Sequence, residues 1–104
     1  MTFNLDQARQ ATLQRNITWR RHALERMLER GFGREMVMQV ILTGKVIEDY
    51  SADRSMPGAL IFGWHSERPV HVVVSIENSQ VAIITVYEPT LDVFELDYQT
   101  RRKR

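Results

Sequence analysis

A chain of 104 residues and 12.2 kDa, 43% apolar and 26% charged, is sized for one globular domain, because a domain near this length buries well over half of its unfolded surface. The absence of cysteine excludes disulfides, thiolate zinc sites and cysteine nucleophiles together. The opening MTFNLDQARQ lacks the apolar core of a secretory signal, and no run reaches the roughly 20 apolar residues that span a bilayer, so the expectation is a soluble cytoplasmic protein with no membrane partner.

The net charge of +1 conceals a segregation along the chain. Residues 1–34 hold seven basic and three acidic side chains, residues 35–100 hold three and ten, and 101–104 add four positive charges. Twelve of the fourteen basic residues are arginine, whose planar fork pairs bidentately with phosphate or carboxylate, so an anionic partner is expected; a solvated helix face with a frayed basic tail explains the same charges.

In chain order, Leu5 to Leu13 carries Leu5, Ala8 and Leu13 among polar residues and predicts a short helix. Asn16-Ile17-Thr18 reads as a brief extended connection. Arg20 to Arg30 is rich in strong helix formers and Gly31 stands where a helix C′ residue belongs. The run from Arg34 to Thr43 is apolar nearly all round and is stopped by Gly44, which predicts a largely buried second long helix joined to the first through Gly31-Phe32-Gly33. The period then changes to extended, with β-branched runs at Lys45–Tyr50, Ala59–His65, Pro69–Ile76 and Val81–Tyr87, separated by breaks short enough for hairpins. Glu88-Pro89 ends the last strand, and Leu91, Phe94 and Tyr98 recur at helical spacing, predicting a short C-terminal helix. The expected fold is α+β: N-terminal helices on one face of a four-stranded, mainly antiparallel sheet. The expected organisation is an N-terminal extension or short helix over 1–16, one domain over 17–98 and a basic tail over 99–104.

Three clusters of chemically capable residues stand out. On the first long helix, His22, Arg26 and Arg30 are four residues apart and spread over only about 80° of the circumference. Arginines to hold charge on phosphoryl oxygens and a histidine titrating near neutrality suit a phosphate site. Yet Ala23, Leu24, Met27 and Leu28 form the apolar stripe of that helix, roughly opposite His22 and Arg26, so a solvated face is the competing reading. On the strands, a three-residue loop near Asn78-Ser79 sets His71 opposite Tyr87, whereas a two- or four-residue loop pairs it with Val86 and sends Tyr87 to the other face. Placed together, imidazole, phenol and Glu88 can do acid–base work; a hydrogen-bonded structural histidine is the alternative. The loop from Asp49 to Gly58 contains Arg54, able to clamp an anion or to stabilise the turn with Asp49 and Asp53. Trp19 and Trp64 can stack on bases, but Trp64 alternates with Leu60 and Phe62 and is assigned to the core. The histidines at 22, 65 and 71 show no metal-ligand spacing, no nucleotide-binding glycine motif is present, and neither a metal nor a cofactor is expected.

The ordered strings HALERMLERG (22–31), GKVIEDY (44–50), PVHVV (69–73) and TVYEP (85–89) resemble a small bacterial domain of unknown function grouped with the RelE/ParE/BrnT-type toxin superfamily, over residues 17–92. The resemblance implies a helical pair on a twisted antiparallel sheet and a toxin–antitoxin setting. Relatives in that superfamily cleave RNA, commonly on the ribosome, and are neutralised by an antitoxin; members of the family often adjoin a small zinc-finger or helix-turn-helix protein. Carried over by position, His22, Arg26, Arg30, His71 and Tyr87 are the polar residues of the pattern. The acidic sheet half departs from the strongly basic character of active toxins.

The sequence therefore carries two functional readings. In the first, a metal-independent endoribonuclease uses His22, His71 and Tyr87 for proton transfer and Arg26, Arg30 and Arg54 as phosphate clamps. In the second, the same fold is a non-catalytic module whose partner is an antitoxin-like protein or another copy of the chain.

Overall fold

The computed structural model describes residues 3–50 and 57–103, and contains three helices and a five-stranded mixed sheet. Helix α1 (Leu5–Leu13) begins at Asn4, whose Oδ1 accepts from the Gln7 N–H at 3.0 Å and so satisfies one orphan donor of the first turn. Its inner face is Ala8, Ala11 and Thr12, with the Thr12 hydroxyl donating to the Ala8 carbonyl. Leu13, by contrast, is largely exposed. Helix α2 (Arg21–Arg30) ends as expected at Gly31, which adopts φ +71°, the left-handed conformation that L side chains resist. There the Gly31 N–H bonds the Leu28 carbonyl and the Phe32 N–H reaches the Met27 carbonyl, the double closure of a Schellman end.

Helix α3 (Arg34–Thr43) buries Met36, Val37, Met38, Val40 and Ile41, and so is the largely buried helix its composition implies. Its last carbonyls are held from outside: Arg9 of α1 donates from Nε to the Ile41 carbonyl at 3.0 Å and from Nη2 to that of Gly44 at 2.7 Å. One arginine thus ties α1 to the C-terminus of α3 and satisfies acceptors that α3 itself cannot.

The strands are β1 (Ile17–Trp19), β2 (Lys45–Asp49), β3 (Gly58–His65), β4 (Arg68–Glu77) and β5 (Gln80–Tyr87), in the spatial order β1-β5-β4-β3-β2. The antiparallel meander β2 to β5 matches the four expected strands; the fifth corrects the expectation. The segment expected to be a mere connection pairs in parallel with β5, Ile17 to Val81 and Trp19 to Ile83, which makes the sheet five-stranded and mixed. Three residues are too few to show a period, and a parallel partner sixty residues away leaves no local signal. The C-terminal helix is also overturned. Residues 90–103 form turns and one isolated antiparallel bridge, Phe94 to Arg101. Asp97 accepts from the Gln99 and Thr100 N–H groups, and these turn-forming bonds compete with helix continuation.

The sheet has two covered faces. Val70, Val72, Val74, Val81, Ile83 and Val86 meet Ala23 and Met27 of α2 and Val37 and Ile41 of α3 in the main core. The opposite face carries Leu60 and Val73 under Phe94, with Ile47, Tyr50, Ile84 and Tyr87 around them. The C-terminal segment is therefore the second layer of the protein.

Candidate functional site

The position of every polar group on the second face depends on strand register. The turn between β4 and β5 has two residues, Asn78 and Ser79, both at positive φ as a type I′ turn requires. On that turn alone His71 would face Val86. The register shifts by one between Val73 and Val74, however, where β5 accommodates Ile84 as an extra residue, and His71 then lies opposite Tyr87. The bulge reverses the alternation of β5, so that Val81, Ile83 and Val86 point to the helices while Ile84 and Tyr87 point away. A second bulge at Ile47 in β2 similarly brings Glu48 opposite Leu60.

His71 is fully buried, enclosed by Phe94 at 4.6 Å, Tyr87 at 5.2 Å and Phe62 at 5.6 Å between ring centroids, all edge-to-face. Its Nε2 lies 2.7 Å from the Tyr98 carbonyl, and its Nδ1 lies 3.2 Å from the Tyr87 hydroxyl. A carbonyl only accepts, so the proton resides on Nε2, and Nδ1 accepts from the Tyr87 O–H. Burial pushes the imidazole below its ordinary pKa, aided by the Arg101 charge and opposed by the Tyr98 carbonyl and Glu48. Burial likewise pushes the Tyr87 phenol upward, with Glu48 adding to the rise and Arg101 opposing it. Both groups are therefore neutral at pH 7.

Beside this pair is a second hydrogen-bonded group. The Tyr50 hydroxyl donates to Glu48 Oε1 at 2.5 Å, and Arg101 grips the same carboxylate from Nε at 2.6 Å and Nη2 at 3.1 Å. Burial raises the Glu48 pKa, but the Arg101 and Tyr50 hydrogen bonds together with the Arg101 charge outweigh it and hold the carboxyl below its usual range. Burial and the carboxylate push the Tyr50 phenol up to about 12. The Arg101 guanidinium also lies 5.0 Å from the Phe94 ring centroid, so the residue that closes the ion pair also secures the cover over His71.

A cavity of about 310 Å³ opens where the end of α2, the end of β5 and the C-terminal segment meet, and its lining includes Arg30, Tyr87, Glu88, Thr90, Phe94 and Arg101. Arg30 is exposed and makes no ion pair among the described residues. Glu88 is engaged by Arg68 at 2.8 Å. The cavity thus presents an unpaired guanidinium, a paired one and a phenol backed by a buried imidazole.

The sequence-derived candidates divide accordingly. His71, Tyr87 and Arg30 come together here. His22 and Arg26 are exposed on the outer face of α2 and do not line the cavity, and Arg26 pairs with Glu29 at 2.7 Å. Arg54 lies outside the described residues. Trp64 does not enter the core as expected; it lies at the rim of the covering segment, edge-to-face with Tyr98 at 5.9 Å, and is 57% exposed. Glu48, Tyr50 and Arg101 escaped the sequence reading as site residues, although Glu48 and Tyr50 stand in the GKVIEDY string and only Arg101 gave no signal beyond a basic tail. Among the described residues no group of histidines and carboxylates is placed to hold a metal ion, and no helix is long and apolar enough to cross a membrane.

Residues 19–88 match the model of the domain of unknown function DUF4258, and the chain belongs to that family. No curated protein and no solved structure matches it. The match ends at Glu88, so α1 and the C-terminal segment that covers His71 lie outside the family domain.

Proposed function

We propose that this protein is a toxin-like endoribonuclease that works without a metal, akin to the RelE/ParE toxins, with its active surface at the cavity between α2 and the C-terminal segment. One observation carries the reading: Arg30, Tyr87 and Arg101 line one cavity, and the Tyr87 hydroxyl is hydrogen-bonded to buried His71. A phosphodiester placed there meets guanidinium charge for its non-bridging oxygens. The attacking ribose 2′-hydroxyl gives its proton to the Tyr87 oxygen as the Tyr87 proton passes to His71 Nδ1. The resulting imidazolium is steadied by the Tyr98 carbonyl and the Glu48 carboxylate, the two groups that already favour its charged form. The 2′-oxygen bonds to phosphorus, the bond to the 5′-oxygen breaks, and the departing oxygen takes a proton from water. His22 and Arg26, which do not line the cavity, have no part in this step.

The test is incubation of purified protein with free RNA and with a translating extract, beside Tyr87→Phe and Arg30→Ala. Wild type cuts, Tyr87→Phe slows cutting by roughly 100-fold or more as loss of a proton-transfer group does, and Arg30→Ala slows it as well. Uncut RNA, or equal cutting by all three proteins, refutes the reading.

A second reading draws on a different observation: both ring nitrogens of His71 are bonded within the chain and Phe94 closes over the ring. On this reading the fold is an interaction module for an antitoxin-like protein or a second copy. Growth arrest on expression of the chain alone, relieved by Tyr87→Phe, favours the nuclease; unimpaired growth favours the module.

A further inference from the structure

A second cavity, of about 410 Å³, lies on the other side of the C-terminal segment, where the start of β2 meets the end of β3. Its lining includes Gly44, Lys45, Gly63, Trp64 and Gln99. We propose that it is a nucleotide subsite for single-stranded RNA, in which Trp64 stacks on a base and Lys45 holds the adjoining phosphate; the proposal rests on the nuclease reading and names how its substrate is gripped.

Three observations carry it. First, Trp64 is a large apolar ring left 57% exposed, yet it is fixed in place, edge-to-face with Phe62 at 5.5 Å and with Tyr98 at 5.9 Å. A ring already ordered loses little entropy on binding, and a base offers it a π-face of matching size. Second, the surroundings leave room and supply polarity. The cavity of about 410 Å³ is open to solvent beside the ring, and Gln99 adds an amide able to donate and accept. Third, Lys45 is exposed and makes no ion pair among the described residues, in a region where Arg68, Arg101 and Arg102 are all paired with carboxylates. An unneutralised ammonium beside a fixed indole fits a phosphate beside a base.

The two cavities are joined by an aromatic row: Trp64 contacts Phe62, Phe62 contacts His71, and His71 contacts Tyr87. A strand of RNA lying across the C-terminal segment would place one nucleotide at Trp64 and a phosphodiester at Tyr87.

The experiment is fluorescence anisotropy of a short fluorescein-labelled single-stranded RNA of mixed sequence, titrated with the full chain, Trp64→Ala, Trp64→Phe and Lys45→Ala, at several salt concentrations. Thermal unfolding of each variant checks that the fold is kept. Trp64→Ala weakens binding by about tenfold, in the range of a lost base stack, and Trp64→Phe restores most of it. Lys45→Ala lowers the slope of log affinity against log salt by about 0.7, the signature of one lost phosphate contact on a single strand. A folded Trp64→Ala that binds as wild type does, or a wild type that binds no RNA, overturns the subsite. Binding that depends on Trp64 without any cleavage retains the subsite and refutes the nuclease; cleavage that depends on Tyr87 with affinity indifferent to Trp64 does the reverse.

Discussion

Phe94 is the residue whose removal tests the architecture of the second face. Its ring is 2% exposed and packs on Leu60, Val73 and the His71 imidazole. Burying a phenylalanine of roughly 170 Å² at ~25 cal/mol per Å² contributes about 4 kcal/mol, in line with the 3–5 kcal/mol that core Phe→Ala substitutions cost. The other fastenings of residues 90–103 are weaker. The Arg101–Glu48 pair is about half-exposed on the arginine side and such pairs contribute about 1 kcal/mol or less, and the His71 to Tyr98 carbonyl hydrogen bond adds about 1 kcal/mol. Phe94→Ala therefore removes most of what holds the segment, and the segment detaches before the domain unfolds. The assay is amide hydrogen exchange followed by NMR, together with urea unfolding. The Glu95 and Arg102 amides, bonded to the Thr100 and Val93 carbonyls, lose protection, while Val72 and Ile83 in the sheet interior remain protected. Persisting protection of the Glu95 and Arg102 amides in Phe94→Ala would mean that Phe94 is not what holds the segment on the sheet.

Gly44→Ala places a Cβ 2.5 Å from the carbonyl oxygens of both Phe62 and Val40, backbone atoms that cannot step aside, so the urea midpoint falls by the equivalent of about 2 kcal/mol or more. His71 titrates below its ordinary 6.5 when folded, so the unfolded chain binds the proton more readily; stability is complete above pH 6.5 and declines as the pH falls through the folded value. His71→Asn flattens that decline in urea melts taken across pH 4–8. The Asp97 carboxyl is drawn down from 3.8 to about 2 by the Thr100 and Gln99 N–H groups, so the 97–100 turn holds above pH 4 and loosens as pH approaches 2, readable from the Thr100 amide shift.

The parts of the fold legible in the sequence are those written in local chemistry. Gly31 ends α2 because left-handed backbone favours glycine, and the alternation along 69–76 separates Val70, Val72 and Val74 from His71 and Val73, although which of the two faces meets the helices is shown only by the structure. The parts that were not legible depend on distant partners. Ile17–Trp19 becomes a strand only through β5. Leu91, Phe94 and Tyr98 keep helical spacing, yet Phe94 is drawn onto the sheet and Asp97 bends the chain. The alternation of Leu60, Phe62 and Trp64 is real, but Trp64 meets only the rim of the cover, at Tyr98, and stays exposed. In the candidate site, His71 and Tyr87 were recognised as residue types, and their meeting was undecidable because the turn length and the bulge act in opposite directions.

That opposition makes the arithmetic of β5 matter more than its spelling. Exchanging Ile84 for valine leaves the phenol on the imidazole, and so would omitting Ile84 itself, which returns the ladder to regular pairing with the tyrosine still opposite His71; ironing out the bulge at unchanged length would set Val86 against His71 and strand the imidazole without its donor. The pairing thus survives either with a bulge at this length or without one in a strand one residue shorter, and fails when turn, bulge and length fall out of step.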